Sequence, residues 1–150
     1  MEDQLRRYLE KAAGGDGDDK LPSKLFESLV MSGLRLDLVE PGRIVCSMNV
    51  PARLLNSGNF LHGGATATLV DVVGSAVIFT VGAPFTGVSV EINVSYLDSA
   101  FLDEEVEIEA KVLRVGKAVG VSSVELRKKK SGKIIAQGRH TKYLLVPSKM

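Results

Sequence analysis

Cysteine is almost missing from this chain: Cys46 is the single one, so no intrachain disulfide framework can organise the fold. Cys46 falls in an apolar, strand-like run and reads as a small core residue. Net charge is nearly missing too. Nineteen Lys and Arg against eighteen Asp and Glu leave +1, so no general affinity for nucleic acid or anionic membrane follows. No His/Cys cluster is present, so no metal site is expected. No Gly-x-Ser-x-Gly elbow is present, which removes the Ser–His–Asp hydrolase of that type. The N-terminus is charged and has no apolar core, so a secretory signal is not expected. The longest apolar run, Ala65 to Val81, is too short to span a membrane and carries Asp71, Gly74, Ser75 and threonines, so a buried core helix is expected instead. Internal repeats and low-complexity segments are absent.

What is present is organised around Asn56 to Gly82, NSGNFLHGGATATLVDVVGSAVIFTVG. It opens polar and Gly-rich, then runs as a helix apolar on every side, the expected buried centre of a small domain. Gly63 and Gly64 sit where that helix begins. A helix start offers N–H groups without intrahelical partners and the positive end of the dipole, and glycine lets a ligand come close. Asp71 is then a carboxylate expected to be buried in an otherwise apolar helix, which needs a functional or structural reason. Gly64 and Asp71 are seven apart and share a helix face, yet lie about 10 Å apart along the axis. One reacting carbon cannot be close to both on the same helix. A second helix packed antiparallel brings its own Asp71 beside the first helix start, and two-fold symmetry makes two identical sites.

The remaining chain reads as strands with few helices. Residues 1–20 are expected to be a flexible N-terminal segment and 21–150 one folded domain, long enough for a real core. Met1 to Ala13 can form a short amphipathic helix with Leu5, Tyr8 and Leu9 on one side, although a frayed terminus is the better reading. Gly14-Gly15-Asp16-Gly17-Asp18-Asp19 reads as a linker. Pro22-Ser23 opens a helix with Ser23 as cap and Leu25, Phe26, Leu29 and Val30 buried. Leu34, Leu36 and Leu38 alternate with Arg35 and Asp37, and Ile44, Cys46, Met48 and Val50 alternate again across a Pro41-Gly42 turn, giving a hairpin. Beyond the helix, four strands are expected as a meander. Val88, Val90, Ile92, Val94 and Tyr96 point one way, with Ser89, Glu91, Asn93 and Ser95 on the polar face. Val106 to Val112 and Val119 to Leu126 follow, the latter with a bulge at Ser122-Ser123, and Ile134 to Val146 ends the set. The class is α+β, an antiparallel sheet wrapped around a long central helix.

Asn56, His62-Gly63-Gly64 and Asp71, with Gly87-Val88-Ser89-Val90-Glu91-Ile92-Asn93 and Gly132 to Lys142, resemble the hotdog-fold acyl-CoA thioesterases, the 4-hydroxybenzoyl-CoA and phenylacetyl-CoA type superfamily, and within it the small eukaryotic acyl-CoA thioesterases. The likeness runs from about Leu25 to Leu145. It implies a hotdog fold and hydrolysis of acyl-CoA to a free acid and coenzyme A, with no cofactor, coenzyme A being part of the substrate. It also implies that Asn56 helps hold the thioester carbonyl, that Asp71 activates or orients water, that Ser89 assists, and that His62 supports the helix start. Gly63 N–H is the expected oxyanion donor and burial the means of keeping Asp71 basic. The family places coenzyme A near Gly64 and the turn Arg114-Val115-Gly116-Lys117-Ala118-Val119, with Arg114, Lys117, Arg139 and Lys142 as candidates for its phosphates. The likeness further implies homodimers, often paired into dimers of dimers (a homotetramer), with sites across the interface and a place in lipid metabolism.

Each residue also has a plainer reading. Asn56 suits a turn, His62 a helix cap, Ser89 a polar strand face, and His140 is expected to be an ordinary surface or pairing residue. Alternatives for the whole chain are a non-catalytic acyl-CoA binding protein and a hotdog acyl dehydratase, which needs a catalytic His beside a carboxylate; no fitting second His is evident on the central helix. Ser148-Lys149-Met150 is similar to a Ser-Lys-Leu peroxisomal address, so the expected location is the peroxisome or the cytoplasm.

Overall fold

The computed structural model describes residues 2–13, 21–83 and 87–145. The linker from Gly14 to Asp19 and the tripeptide Ser148 to Met150 lie outside them. Three α-helices, one 3-10 turn at Ala52–Leu54 and six strands occur in the described residues: α1 Glu2–Ala13, α2 Leu25–Met31, β1 Arg35–Glu40, β2 Arg43–Asn49, α3 Gly63–Phe79, β3 Val88–Tyr96, β4 Glu105–Val115, β5 Val119–Lys128 and β6 Ile134–Tyr143. The strands form one antiparallel sheet in the order β1-β2-β4-β5-β6-β3. The expected four-strand meander is therefore only β4-β5-β6. β3 leaves the helix and pairs with β6 at the outer edge, and residues 97–104 carry the chain back past the end of the sheet. Along that path Leu97 N–H donates to Ile135 O and Val50 N–H to Glu104 O.

α3 lies in the concave face of the sheet. One side of it is buried, through Leu69, Val70, Val73, Val77 and Ile78, against Cys46, Met48, Ile108 and Leu126 of the strands. Each such side chain contributes about 1.5–3 kcal/mol by leaving water, so this stripe is the main support of the fold. The opposite side, with Ala67, Thr68, Asp71, Val72, Ser75 and Ala76, is only half covered. The helix is thus not buried all round within one chain, because a single sheet wraps only one side of it. Among the described residues no helix is long and apolar enough to cross a membrane.

Several other expectations change. α1 is helical rather than frayed, though Leu5 and Leu9 stay exposed. α2 begins at Leu25 after Lys24, which takes a left-handed φ of 65°; Ser23 does not cap it, and Phe26 is 67% exposed while Val30 alone of the four apolar residues is buried. Leu36 is exposed because β1 is an edge strand with a register shift between Leu36 and Leu38. The expected bulge at Ser122-Ser123 is instead on the facing strand β4, where the register steps from Val112 to Arg114. The Pro41-Gly42 turn is as expected, with Gly42 at φ 81°. Cys46 is buried, and its thiol is pushed up to about 11 by desolvation first and by Asp37 second.

One bulge matters more than the rest. In β3 the register steps from Ser89 opposite Lys142 to Glu91 opposite Thr141, so Val90 has no partner. An extra residue reverses which face each later side chain takes. Ser89 therefore faces the helix, on the same side as Ile92, Val94 and Tyr96, and not the polar face that plain alternation gives it.

Gly138 of β6 has no room for a side chain. A methyl there would sit 2.6 Å from Asn93 O of β3 and 3.1 Å from Val70 of α3. Gly138→Ala is expected to lower stability by about 1–3 kcal/mol, the usual cost of overpacking, by pushing β3 off the sheet. Urea unfolding measures it; an unchanged midpoint would show that β3 is not held by this close approach.

Candidate active site

The first part of the site is the start of α3. His62 is its N-cap, and its Nδ1 accepts from Gly64 N–H at 2.8 Å. The capping reading of His62 is thus correct, and Gly64 N–H is taken. The next amides, Ala65 and Thr66, donate to His62 O. Gly63 N–H is left without a partner among the described residues. Tyr96 of β3 donates its hydroxyl to Gly63 O at 2.8 Å, and a methyl on Gly63 would meet the Tyr96 ring at 3.4 Å. A donor amide at the positive end of a 17-residue helix is thereby held in one place.

Asn56 comes from the loop before the helix. Its Oδ1 accepts from Gly58 N–H at 2.9 Å and Phe60 N–H at 3.2 Å, while its own N–H donates to Phe60 O. The turn reading is therefore correct for the oxygen. The same fixing leaves the Nδ2 amide with no hydrogen bond among the described residues, a second positioned donor. A cavity of about 370 Å³ lies beside Gly63, lined by Phe60, Thr66, Tyr96, Leu97 and Ile135.

The second part lies two turns along α3. Asp71 Oδ1 accepts from Ser89 Oγ–H at 3.2 Å, and Ser89 Oγ lies 2.7 Å from His140 Nε2. His140 Nε2 is also 3.4 Å from Asp71 Oδ1. The carboxylate is not buried as the sequence led one to expect. Its side chain is 45% exposed, because Asp71 points along the half-covered side of α3. His140, expected at the surface, is fully buried. Burial lowers its pKa from the ordinary histidine value; the Asp71 charge opposes that shift, Lys142 adds to it, and a hydrogen bond from the ring to the main-chain carbonyl of Asp71 opposes it again. The signal was in the strand period: Ala136, Gly138, His140 and Lys142 share one parity, and Ala136 is a core residue. Ser75 was missed as well. It donates to Asp71 O at 2.7 Å and lies 3.5 Å from His140 Nδ1.

No hydrogen bond among the described residues joins Asn56 or Gly63 to Asp71, in keeping with the seven-residue step from Gly64 to Asp71 that sets the carboxylate two turns from the helix start. The turn from Arg114 to Val119 closes through Gly116 N–H to Val119 O, and Arg114 and Lys117 are exposed without an ion-pair partner among the described residues. It lies toward the C-terminal end of α3, since a methyl on Gly120 would touch Ile78. Arg139 points to the outer face of the sheet, beside Glu109 and Gln137. Lys142 pairs with Gly120 just after that turn, but its side chain is 7% exposed and faces the helix. Among the described residues no group of three His, Cys, Asp or Glu gathers for a metal. A carboxylate beside a histidine is the pair a dehydratase needs, but this imidazole is fully enclosed behind Ser89 and presents no face to a substrate carbon.

Comparison with known proteins agrees with the geometry. Residues 58–135 match the family model described as Thioesterase superfamily. Acyl-coenzyme A thioesterase 13 of Homo sapiens is 42% identical over 115 residues, 77% of this chain and 82% of the relative. The crystal structure of thioesterase superfamily member 2 from Mus musculus superposes with a TM-score of 0.73 at 40% identity, covering 77% of this chain and 84% of that one. The zebrafish member 2 structure gives 0.74 at 38% identity, covering 95% and 96%. The hotdog architecture expected from the sequence is the one observed.

The depressed pKa of His140 sets a pH dependence of stability. Below the ordinary histidine value of about 6.5 the unfolded chain binds a proton that the folded chain does not, so stability is full above that pH and is lost as pH falls toward the folded value. Thermal melts from pH 8 downward should show the wild type losing Tm below about 6.5 more steeply than His140→Gln, which has no proton to take up there. Parallel curves would mean that His140 titrates as it does in water.

Proposed function

This chain belongs to the thioesterase superfamily, and from that premise we propose that it hydrolyses acyl-CoA thioesters to a free carboxylic acid and coenzyme A. The observation that carries this reading is the Asp71–Ser89–His140 cluster, 3.2 and 2.7 Å between successive atoms, built on Asp71 of a helix whose first amide has no partner among the described residues. In the proposed reaction the thioester oxygen accepts hydrogen bonds from Gly63 N–H and Asn56 Nδ2. Asp71 takes a proton from a water as its oxygen attacks the carbonyl carbon, and the C–S bond breaks as that proton passes to the departing sulfur. Ser89 holds the carboxylate, and His140 holds Ser89. The cavity lined by Phe60, Tyr96 and Leu97 next to Gly63 suits the acyl group, and the exposed Arg114 and Lys117 suit the phosphates of coenzyme A. Asp71→Asn keeps shape and removes the base. A loss of about 10²–10⁴ in kcat is expected in a thiol-release assay with the fold intact; near wild-type turnover would end this assignment.

The two halves of the site are proposed to meet across a homodimer. The edge strand β3 is a nine-residue strand carrying exposed Val88, Val90 and Ile92, and the half-covered side of α3 holds Asp71. Unpaired edges and exposed apolar side chains of this kind call for a partner, and a second β3 placed antiparallel extends the sheet and lays two α3 helices side by side. Gly63 of one chain then faces Asp71 and the Arg114–Val119 turn of the other. Pairing of such dimers into a tetramer is the further expectation from the family. Asn56→Ala and Asp71→Ala, each weak alone, test the shared site. Refolded together in equal amounts they form about half mixed dimers, each with one intact site, so activity should return to roughly a quarter of wild type. No gain, with mixed dimers shown to form, would place the whole site within one chain.

A further inference from the structure

In the hydrolysis scheme a proton from water goes to Asp71, and the groups around that carboxylate show where the proton can be lodged. The burial expected to strengthen Asp71 as a base is absent, since its side chain is 45% exposed. Beside it stands an imidazole instead. His140 is fully buried, and a methyl on Gly74 of α3 would meet its Cβ at 3.1 Å, so ring and helix pack without slack. Among the described residues two charged groups face the ring, Asp71 of α3 and Lys142 of β6. The strand β3 brings Ser89, and β5 brings Ser122, whose hydroxyl donates to Gly74 O.

The protons of this cluster can be counted. The ring hydrogen-bonds the main-chain carbonyl of Asp71. Nδ1 is the nitrogen on that side, 3.5 Å from Ser75 Oγ, which donates to the same carbonyl at 2.7 Å. A carbonyl only accepts, so Nδ1 carries the hydrogen of the neutral ring and Nε2 keeps its lone pair. Nε2 stands 2.7 Å from Ser89 Oγ and 3.4 Å from Asp71 Oδ1, and Ser89 Oγ stands 3.2 Å from that oxygen. The three atoms close a triangle. It contains two groups that bind a proton and one hydrogen, that of Ser89, which can point to only one of them. There is room for one proton more. With that proton on Asp71, the carboxyl donates to Ser89 and Ser89 donates to Nε2. A shift of each hydrogen along its own bond then restores the carboxylate and makes His140 an imidazolium. No heavy atom moves and the net charge is unchanged.

We propose that His140 is the second seat of the proton that Asp71 takes from water: the proton passes through Ser89 to Nε2 while the tetrahedral intermediate stands, and returns by the same path to the departing sulfur. The water O–H bond breaks and its electron pair forms the new C–O bond. The pair of the C–S bond leaves with sulfur, which takes the proton. His140 touches no substrate and acts through Ser89. An imidazole ordinarily binds a proton at about 6.5 and a carboxylate at about 3.9, so a proton shared by the two is held more firmly than a carboxylate alone holds it. That affinity suits a base working near neutral pH. Burial and the Lys142 charge keep the resting ring neutral and its lone pair open. This rests on the hydrolytic role given to Asp71.

The test compares full-length wild type and His140→Gln by steady-state kinetics with an acyl-CoA from acid to neutral pH. Glutamine keeps a hydrogen-bonding group toward Ser89 and cannot hold the proton. In His140→Gln kcat should fall by about 10–100-fold with KM unchanged, less than the loss expected of Asp71→Asn. The pH profile is the readout that a merely structural role would leave alone. Wild-type kcat/KM falls as pH drops through the value at which the pair is already protonated. Without the imidazole that value drops, so the acid limb should move down by about 1–2 units. A lower kcat with an unmoved limb overturns the proposal, because the ring then only holds Ser89. So does an unchanged kcat, or a raised KM at constant kcat. If His140→Gln fails to fold, ¹⁵N NMR of the His140 ring decides, by comparing its titration in the wild type and in Asp71→Asn. Loss of the carboxylate should lower the ring's midpoint by about one unit or more, and an unmoved midpoint overturns the proposal. The NMR readout needs no turnover. An inactive Asp71→Asn with an unmoved ring ends this proposal alone, whereas an active Asp71→Asn ends the hydrolytic reading on which it rests.

Discussion

Everything in this molecule depends on one packing event, the burial of a single stripe of α3 in the concave face of the sheet. Leu69, Val70, Val73, Val77 and Ile78 fill that face, and Gly74 and Gly138 let helix and strand come close where a methyl would collide with Ser122, His140 or Val70. The stripe fixes the rotation of the helix about its axis. Rotation in turn decides that Gly63 N–H opens at one end and that Asp71 emerges on the uncovered flank in the middle. Apolar contact is non-directional, yet here it aims two polar groups with no polar interaction of its own.

The polar cluster is then completed from the strands. β3 supplies Ser89 through its bulge, and β6 supplies His140 and, behind it, Lys142 through Ser75. On the outer face a different arrangement holds: Arg127 pairs with Glu107, Glu109 and Glu125, and Arg43 with Glu109, a connected ion-pair network that is partly covered. The charges of the concave side are few and bonded to one another. Those of the convex side are more numerous and share partners around Arg127 and Glu109.

Much of this was legible in the residues. The all-round apolarity of Ala65 to Val81 marked the central helix, His62-Gly63-Gly64 marked its start, and the seven-residue step to Asp71 showed that one helix cannot hold a whole site. What was not legible has a common cause. Period-two reading assumes an unbroken ladder, so the unpaired Val90 sent Ser89 to the wrong face, and the order of strands placed β3 beside β4 when it pairs with β6. The burial of Asp71 was overestimated because a helix apolar on every side was taken to be enclosed by its own chain. His140 was passed over because Arg139 and Lys142 gave the strand a basic look, although its parity with Ala136 pointed inward.

The inward face of β6 carries a consequence for engineering. Gly138, His140 and Lys142 occupy three successive positions where an ordinary strand would bury aliphatic side chains. Buried polar clusters can often be replaced by well-packed hydrocarbon with a gain in folding free energy. Selection for heat resistance alone would therefore drift toward leucine or valine at His140 and Lys142, and the descendants would lose the polar contacts that these two side chains make with Ser89 and Ser75. The alternate positions Arg139, Thr141 and Tyr143 carry no such conflict, so any programme of stabilisation has every second residue of this strand open to it and the others closed.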